Sequence, residues 1–237
     1  MEASRGRPDG RMRRARETGR DGPKQEHWMI VPLGTLPARF NLPRMTKVVH
    51  IGGHFGEECD DYFANGVDTV TFFEPSLPSF LEMHKRHGGR AGVTLVHTAL
   101  GPYNGSTFMH VETVNGGQSS SLLPAKEHKR LYPQIVFHLR ERVTVMRLDD
   151  WMGPDETCDF IAIDVQGYEL EVFKGAERAL NSVYAVSAEI NKEELYEGCA
   201  RVGDLDAFLG QRGFKRALTE WCGAEGAWGE AIYVRQG

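Results

Sequence analysis

The chain has 237 residues, with 28 Lys and Arg against 33 Asp and Glu, a formal net charge of −5, and 41% hydrophobic and 26% charged residues. That length suits one domain with a tail and a single substantial core, and the acidic balance argues against nucleic acid as the main partner, because phosphate neutralisation needs a basic excess. Four isolated cysteines without a C-x-x-C pair, no run of about 18 apolar residues and no signal-peptide start argue against a disulfide framework, a zinc ribbon, a transmembrane helix and export, which leaves the cytoplasm and small-molecule or sugar chemistry.

Residues 1–26 are rich in Arg, Gly, Asp and Glu and lack apolar periodicity, which predicts a disordered basic tail, followed by a linker over 27–46. Acids interspersed with Arg11, Arg13, Arg14 and Arg16 favour a solvated tail over contact with an anionic surface. Met45 stands directly before the first core strand and is an alternative translation start, which mass spectrometry of the native N-terminus would test.

From Lys47 onward, apolar strand-like runs alternate with helical patterns. The spacing predicts a strand at Lys47–Ile51, a helix from about Gly56 to Asn65 closed by Gly66, a strand at Thr69–Phe73, a helix from about Leu77 to His87, and a strand at Val93–Thr98. An insertion over about 102–151 breaks the rhythm. Within it Thr107–Val111 and Val143–Met146 have strand patterns, while Gly116–His138 is polar, serine-rich and without a clear period. Alternation resumes with strand Phe160–Ile163, helix Glu169–Leu180, strand Val183–Glu189, helix about Asp204–Arg212, and strands near Phe214–Ala217 and Ala231–Val234. The fold expected over 47–237 is therefore α/β and Rossmann-like, with a mostly parallel seven-stranded sheet, helices on both faces and a small insertion.

Two blocks carry the chemistry. His50-Ile51-Gly52-Gly53-His54-Phe55-Gly56 joins a strand to a helix, so its glycines sit where a backbone turns tightly and approaches a ligand. About twenty residues later Glu74 ends the second strand, where a carboxylate can accept hydrogen bonds from both ribose hydroxyls. A dinucleotide loop reads G-x-G-x-x-G, whereas this one reads G-G-x-x-G, and Glu57 and Glu58 at the helix start would oppose a pyrophosphate lodged there. S-adenosylmethionine carries no phosphate and avoids that conflict.

In the second block, Asp159–Glu169, an apolar strand delivers Asp164 to the carboxyl end of the sheet, the edge where open α/β sheets bind ligands. Glu189 ends the next strand on the same edge. The segment Asn115–Pro124 places Gln118, Ser119, Ser120 and Ser121 beside glycines, as a site for a hydroxyl-rich acceptor needs, although a flexible polar loop reads equally well. Asp149 and Asp150 with Trp151 suit a cap for the following turn better than a site, and Trp221 and Trp228 suit packing. The nine histidines are scattered, so no metal site is expected.

Through VVHIGGHFGEE (48–58), FFEP (72–75), HTALG (97–101) and FIAIDVQGYELEVFKGAERAL (160–180), the chain resembles the FkbM-type methyltransferases over about Lys47–Val234. The resemblance implies a class I methyltransferase fold, S-adenosylmethionine as cofactor, and O-methylation of a hydroxyl on a sugar or secondary metabolite, so a small-molecule or glycan acceptor. It implies that Gly52, Gly53 and Gly56 surround the methionine part of the cofactor, with His50 and His54 in the same loop, that Glu74 holds the ribose, and that Thr98 and Ala99 lie near adenine. Asp164 is placed near the methionine end or the reacting methyl. Many relatives begin the loop with Asp; His50 here removes a direct ionic contact to the cofactor's ammonium. An alcohol acceptor must lose a proton, and the candidate bases are Asp164, Glu189 and a histidine of the insertion, His128 or His138, with His128 also a candidate acceptor contact. The rival readings are a nicotinamide-dependent oxidoreductase and a non-catalytic binding module on the same fold. Oligomeric state is left open.

Overall fold

A computed structural model describes residues 30–237. The tail expected over 1–26 and the first part of the linker lie outside the described residues. After a 3-10 turn at Leu33–Thr35 and α1 (Leu36–Phe40), the chain makes two strand–helix steps and a third strand: β1 (Lys47–Ile51), α2 (Cys59–Ala64), β2 (Thr69–Phe73), α3 (Leu77–His87) and β3 (Val93–Val96). The insertion follows as β4 (Ala99–Leu100), β5 (Gly105–Glu112), α4 (Glu127–Leu131), β6 (Phe137–Met146) and α5 (Leu148–Trp151). The second half contains β7 (Phe160–Ile163), α6 (Glu169–Lys174), β8 (Ala185–Asn191), α7 (Val202–Gly210), β9 (Phe214–Cys222) and β10 (Trp228–Arg235).

The main sheet has seven strands in the order β3-β2-β1-β7-β8-β10-β9. Strands β3, β2, β1, β7 and β8 pair in parallel, and β10 runs antiparallel between β8 and β9. Strands buried on both faces read as continuous apolar runs, which is why β1, β2 and β7 stand where the apolar runs predict them. Alternation across the pleat splits the core in two: Val49, Ile51, Ile161 and Val186 pack on one face, and Val48, Val70, Phe72 and Phe160 on the other.

The insertion forms its own three-stranded sheet, β4-β6-β5, with β5 and β6 antiparallel over Gly105–Glu112. It stands beside the carboxyl ends of the main strands, because β4 begins three residues after β3 ends there.

Several element boundaries differ from those expected, among them β6, which begins at Phe137, and β8, which runs on past Glu189 to Asn191. Helix α2 starts at Cys59 rather than Gly56, because Gly52, His54 and Gly56 hold φ of +85°, +44° and +73°, which prolongs the turn. Helix α6 stops at Lys174, and a separate 3-10 turn covers Ala179–Ser182. At the break, Gly175 lies so close to Gly101 that a Cβ would stand 2.0 Å from the Gly101 carbonyl oxygen. The third strand ends at Val96, and the two last strands of the sheet are longer than expected because each pairs along nearly its whole length with the other. Asp149 accepts the amides of Arg178 and Ala179 at 2.8 and 2.9 Å, so this acid holds the turn after α6, while Trp151 stands edge-on to Phe73. No helix among the described residues is long and apolar enough to cross a membrane.

Candidate active site

A cavity of about 910 Å³ opens at the carboxyl ends of β1, β2, β7 and β8, roofed by the segment between β5 and α4. Its first wall is the turn after β1. The amides of Gly52 and Gly53 both donate to the carbonyl oxygen of Phe73, at 2.9 and 3.0 Å, which pins the turn to the end of β2. Gly52 has no substitute there: with φ at +85°, an added Cβ would lie 1.8 Å from the backbone oxygen of Asp164. Gly56, expected at the cofactor, stands outside the cavity wall, since its Cβ direction faces Met83 and His87 of α3. Its role is to turn the chain under that helix.

Glu74 is buried at the end of β2 and lines the cavity. Its carboxylate accepts the amide of Ser76 at 2.7 Å on one oxygen and that of His54 at 2.8 Å on the other. Each oxygen keeps a second lone pair. Burial pushes its pKa up to about 7 against the pull of those two amides.

His50 is 1% exposed, with Nδ1 3.0 Å from the Tyr62 hydroxyl and its ring tilted against Phe72. Burial lowers its pKa to about 3, so the imidazole is neutral and offers no ionic contact. His54 has a different part. Its Nδ1 meets Glu57 at 2.9 Å and its Nε2 meets the Gly116 carbonyl at 3.0 Å, tying the glycine turn to the insertion. Burial works to lower its pKa, but Glu57 and the carbonyl outweigh it and the value rises.

Thr98 and Ala99 line the cavity next to this wall, with the Thr98 hydroxyl turned to Thr144 at 2.8 Å. In the insertion, Gln118, Ser119, Ser120, Ser121 and His128 all reach the cavity. The hydroxyls of the last two serines are already engaged. Ser120 accepts the amide of Glu112 at 3.2 Å, and Ser121 donates to the Gln166 carbonyl at 2.7 Å while accepting the amide of Leu123 at 3.0 Å. His128 is 5% exposed among Tyr132, Phe137 and Tyr196, and its Nδ1 has no partner. Burial lowers its pKa. His138 is exposed on β6 and lies outside the cavity.

The residue that joins the second wall carries no local signal in the sequence. Gln166, at φ +55°, donates its side-chain amide to Asp164 at 2.7 Å and to Glu189 at 2.8 Å, and its Oε1 accepts the Tyr196 hydroxyl at 2.7 Å. Asp164, Glu169 and Glu189 each offer one carboxylate oxygen within 4.8 Å of the others. Glu169 caps the turn, accepting the amides of Val165 and Gly167 at 3.1 and 3.0 Å. Burial pushes Glu189 well above the carboxylate range, helped by Asp164, Glu169 and Glu230, while Asp164 is the partly exposed member. Glu112 is equally silent in the sequence pattern: its buried carboxylate accepts the amides of Val114, Asn115 and Gly117 and so shapes the loop that carries the serines.

Residues 50–216 match the family model described as the methyltransferase FkbM domain. The 2-O-methyltransferase NoeI of Sinorhizobium fredii (strain NBRC 101917 / NGR234) is 29% identical over 133 residues, 53% of this chain and 55% of its own length. The chain thus spans about half the length of the curated relative it matches. Among solved structures, the magnesium protoporphyrin IX methyltransferase ChlM from Synechocystis PCC 6803 with bound SAM is similar at 13% identity, with 86% of this chain and 76% of that one covered and a TM-score of 0.49. The ribosomal protein L11 methylase from Lactobacillus delbrueckii subsp. bulgaricus is similar at 13% identity, 86% and 77% coverage and a TM-score of 0.49.

Proposed function

The chain belongs to the FkbM methyltransferase family, and on that premise we propose that it is an S-adenosylmethionine-dependent O-methyltransferase acting on a hydroxyl of a sugar or a related small metabolite. The observation that carries the reading is the convergence, on one cavity inside the matched region, of the glycine turn, the strand-end Glu74 and the strand-end Asp164. The residues fit the cofactor. Gly52 and Gly53 present bare backbone to the cavity, because a Cβ at either would strike the Asp164 backbone oxygen or the Phe72 ring behind them, Glu74 retains lone pairs for two ribose hydroxyls, and the acidic wall suits a ligand with positive charge and no phosphate.

Gly52, Gly53 and Glu74 would hold S-adenosylmethionine, with Thr98 and Ala99 beside its adenine. When bound, it supplies an electrophilic methyl group on a sulfonium. The chain's own residues orient the acceptor and exclude water, and orientation alone is worth on the order of 7 to 11 kcal/mol of such a barrier. Asp164, partly exposed and held by the Gln166 amide, takes the acceptor's proton; the buried Glu189 fixes Gln166 from the far side. Ser119 and Gln118 present polar atoms to the acceptor, and His128 presents an unpartnered ring nitrogen. The reaction is read as needing no metal, because Gln166 already bridges the carboxylates; a chelator that abolishes turnover overturns that part.

Calorimetry with S-adenosylmethionine, its demethylated product and NAD tests the whole reading. The first two bind and NAD does not. Binding of NAD alone would favour the oxidoreductase, and binding of none the non-catalytic module.

A further inference from the structure

The cavity wall is electrostatically one-sided. Among the described residues it carries seven Asp or Glu side chains and no Lys or Arg. Three of the acids form a row dictated by strand register: Glu189 pairs with Glu230 across β8 and β10, and Glu230 pairs with Glu220 across β10 and β9. Paired residues face the same side of a sheet, so the three carboxylates stand side by side over three neighbouring strands. Like charges directly opposite one another are destabilising, and nothing in the fold alone requires them here.

Depth sharpens the point. Glu189 is 4% exposed and Glu230 9% exposed, and Oε2 of Glu230 is buried without any hydrogen-bond partner. Burial, reinforced by neighbouring carboxylates, pushes both groups well above the usual range, the condition of a carboxylate row that lacks a counter-charge. Glu220, at the end of the row, is exposed.

The cofactor does not answer this charge. At neutral pH S-adenosylmethionine has a net single positive charge, and its ribose anchor, Glu74, stands on β2. Strands β10 and β9 are four and five places from β2 in the sheet and two and three places from β7, whose Asp164 marks the charged methionine end, so even that end stands about 10 and 14 Å from them at ~4.8 Å per strand. The row therefore faces whatever enters from the other end. Trp228, two residues before Glu230 on the same face of β10, lines that end and offers an aromatic surface, with its Nε1 donating to the Tyr132 hydroxyl at 2.9 Å.

Resting on the methyltransferase reading above, we propose that the acceptor is a hydroxyl compound bearing a protonated amine, which seats against Glu189, Glu230 and Glu220, and that phosphorylated or carboxylated hydroxyl compounds are excluded. The ammonium donates to the unpartnered Glu230 oxygen and replaces repulsion along the row with charge-assisted hydrogen bonds. An anionic acceptor finds no cation there and adds negative charge beside buried acids that already resist ionisation, so the wall selects by rejection as well as by attraction.

The test uses the full chain loaded with the demethylated cofactor product, with acceptor binding measured by calorimetry and methyl transfer measured separately with labelled cofactor. The probes are glucosamine, neamine and ethanolamine, each beside its N-acetylated form, with glucose and glucose 6-phosphate. At least one amine binds tenfold or more tighter than its N-acetylated form, and glucose 6-phosphate does not bind. In Glu230→Gln and in Glu220→Gln that preference falls at least fivefold, through KM, while kcat stays within about twofold and circular dichroism confirms folding. The inference is overturned if no amine binds, if N-acetylated or phosphorylated compounds bind as well as the amines, if the preference survives both substitutions, or if a divalent cation rather than an amine titrates the row. Failure of the cofactor product to bind sinks the methyltransferase reading instead.

Discussion

The two walls of the cavity are built from different materials. On the β1–β2 side the contacts run mostly from backbone to backbone or from backbone to one carboxylate: Gly52 and Gly53 donate to Phe73, and Ser76 and His54 donate to Glu74. On the β7–β8 side, Gln166 links Asp164, Glu189 and Tyr196 through side chains, and the serine loop is shaped by Glu112. Backbone geometry tolerates almost no change in residue type at its close approaches, whereas a side-chain network can be rebuilt from other polar residues. A cofactor shared by a whole family suits the first wall and an acceptor that varies suits the second.

The largest effect that could break this contrast comes from one substitution made on each wall. Gly52→Ala drives a Cβ into the Asp164 backbone oxygen and is expected to cost at least about 3 kcal/mol or to prevent folding. Gly117→Ala, on the insertion side at φ +93°, meets nothing nearer than 3.7 Å, and the left-handed conformation alone should cost about 1 to 2 kcal/mol. Denaturant unfolding of both proteins compares them, and equal losses would erase the distinction.

Next in size is turnover. Asp164→Ala is expected to slow methyl transfer by about 10² to 10⁴ while calorimetry shows cofactor affinity within tenfold of the parent. Glu189→Ala should slow it through the loss of Gln166's anchor. Normal rates in both variants would remove the carboxylates from the chemistry.

Glu74→Gln tests the first wall alone. Removing a charged acceptor of ribose hydroxyls should weaken cofactor binding by about 10- to 100-fold. The pH response follows from the raised pKa of about 7. In the protein without cofactor, Glu74 favours folding in its protonated form, and that contribution is lost as pH rises through about 7. Ribose hydroxyls prefer the ionised form, so affinity should rise across the same window from pH 6 to 8 and stay flat in the Gln variant. A parallel rise in both proteins would move the titration elsewhere. The smallest effect is expected from Tyr196→Phe, about 1 kcal/mol from a single hydroxyl, read as a higher acceptor KM with unchanged cofactor affinity.

What the sequence discloses follows the same division. Strand ends fix where Glu74 and Asp164 stand, because an apolar run of known length has only one carboxyl end, whereas Glu189, expected to end its strand, lies two residues short of the end of β8; all three line the cavity. Gly56 is harder, since a loop glycine does not announce whether ligand or helix lies against it; here α3 does. Gln166 depends on the β7–β8 pairing and on a left-handed backbone, and Glu112 on a loop folding around its side chain, and neither is written in local periodicity. The shortening of α6 likewise comes from the approach of Gly175 to Gly101, seventy-odd residues away in the chain.

The pairing of Val48 with Phe160 has a kinetic side. Closing β1 onto β7 gathers a loop of about 110 residues, and because closure entropy grows only with the logarithm of length, doubling a loop adds just ~0.6 kcal/mol. The insertion lies wholly within that loop. It can lengthen, shorten or be exchanged during evolution with little added cost to the closure of β1 onto β7.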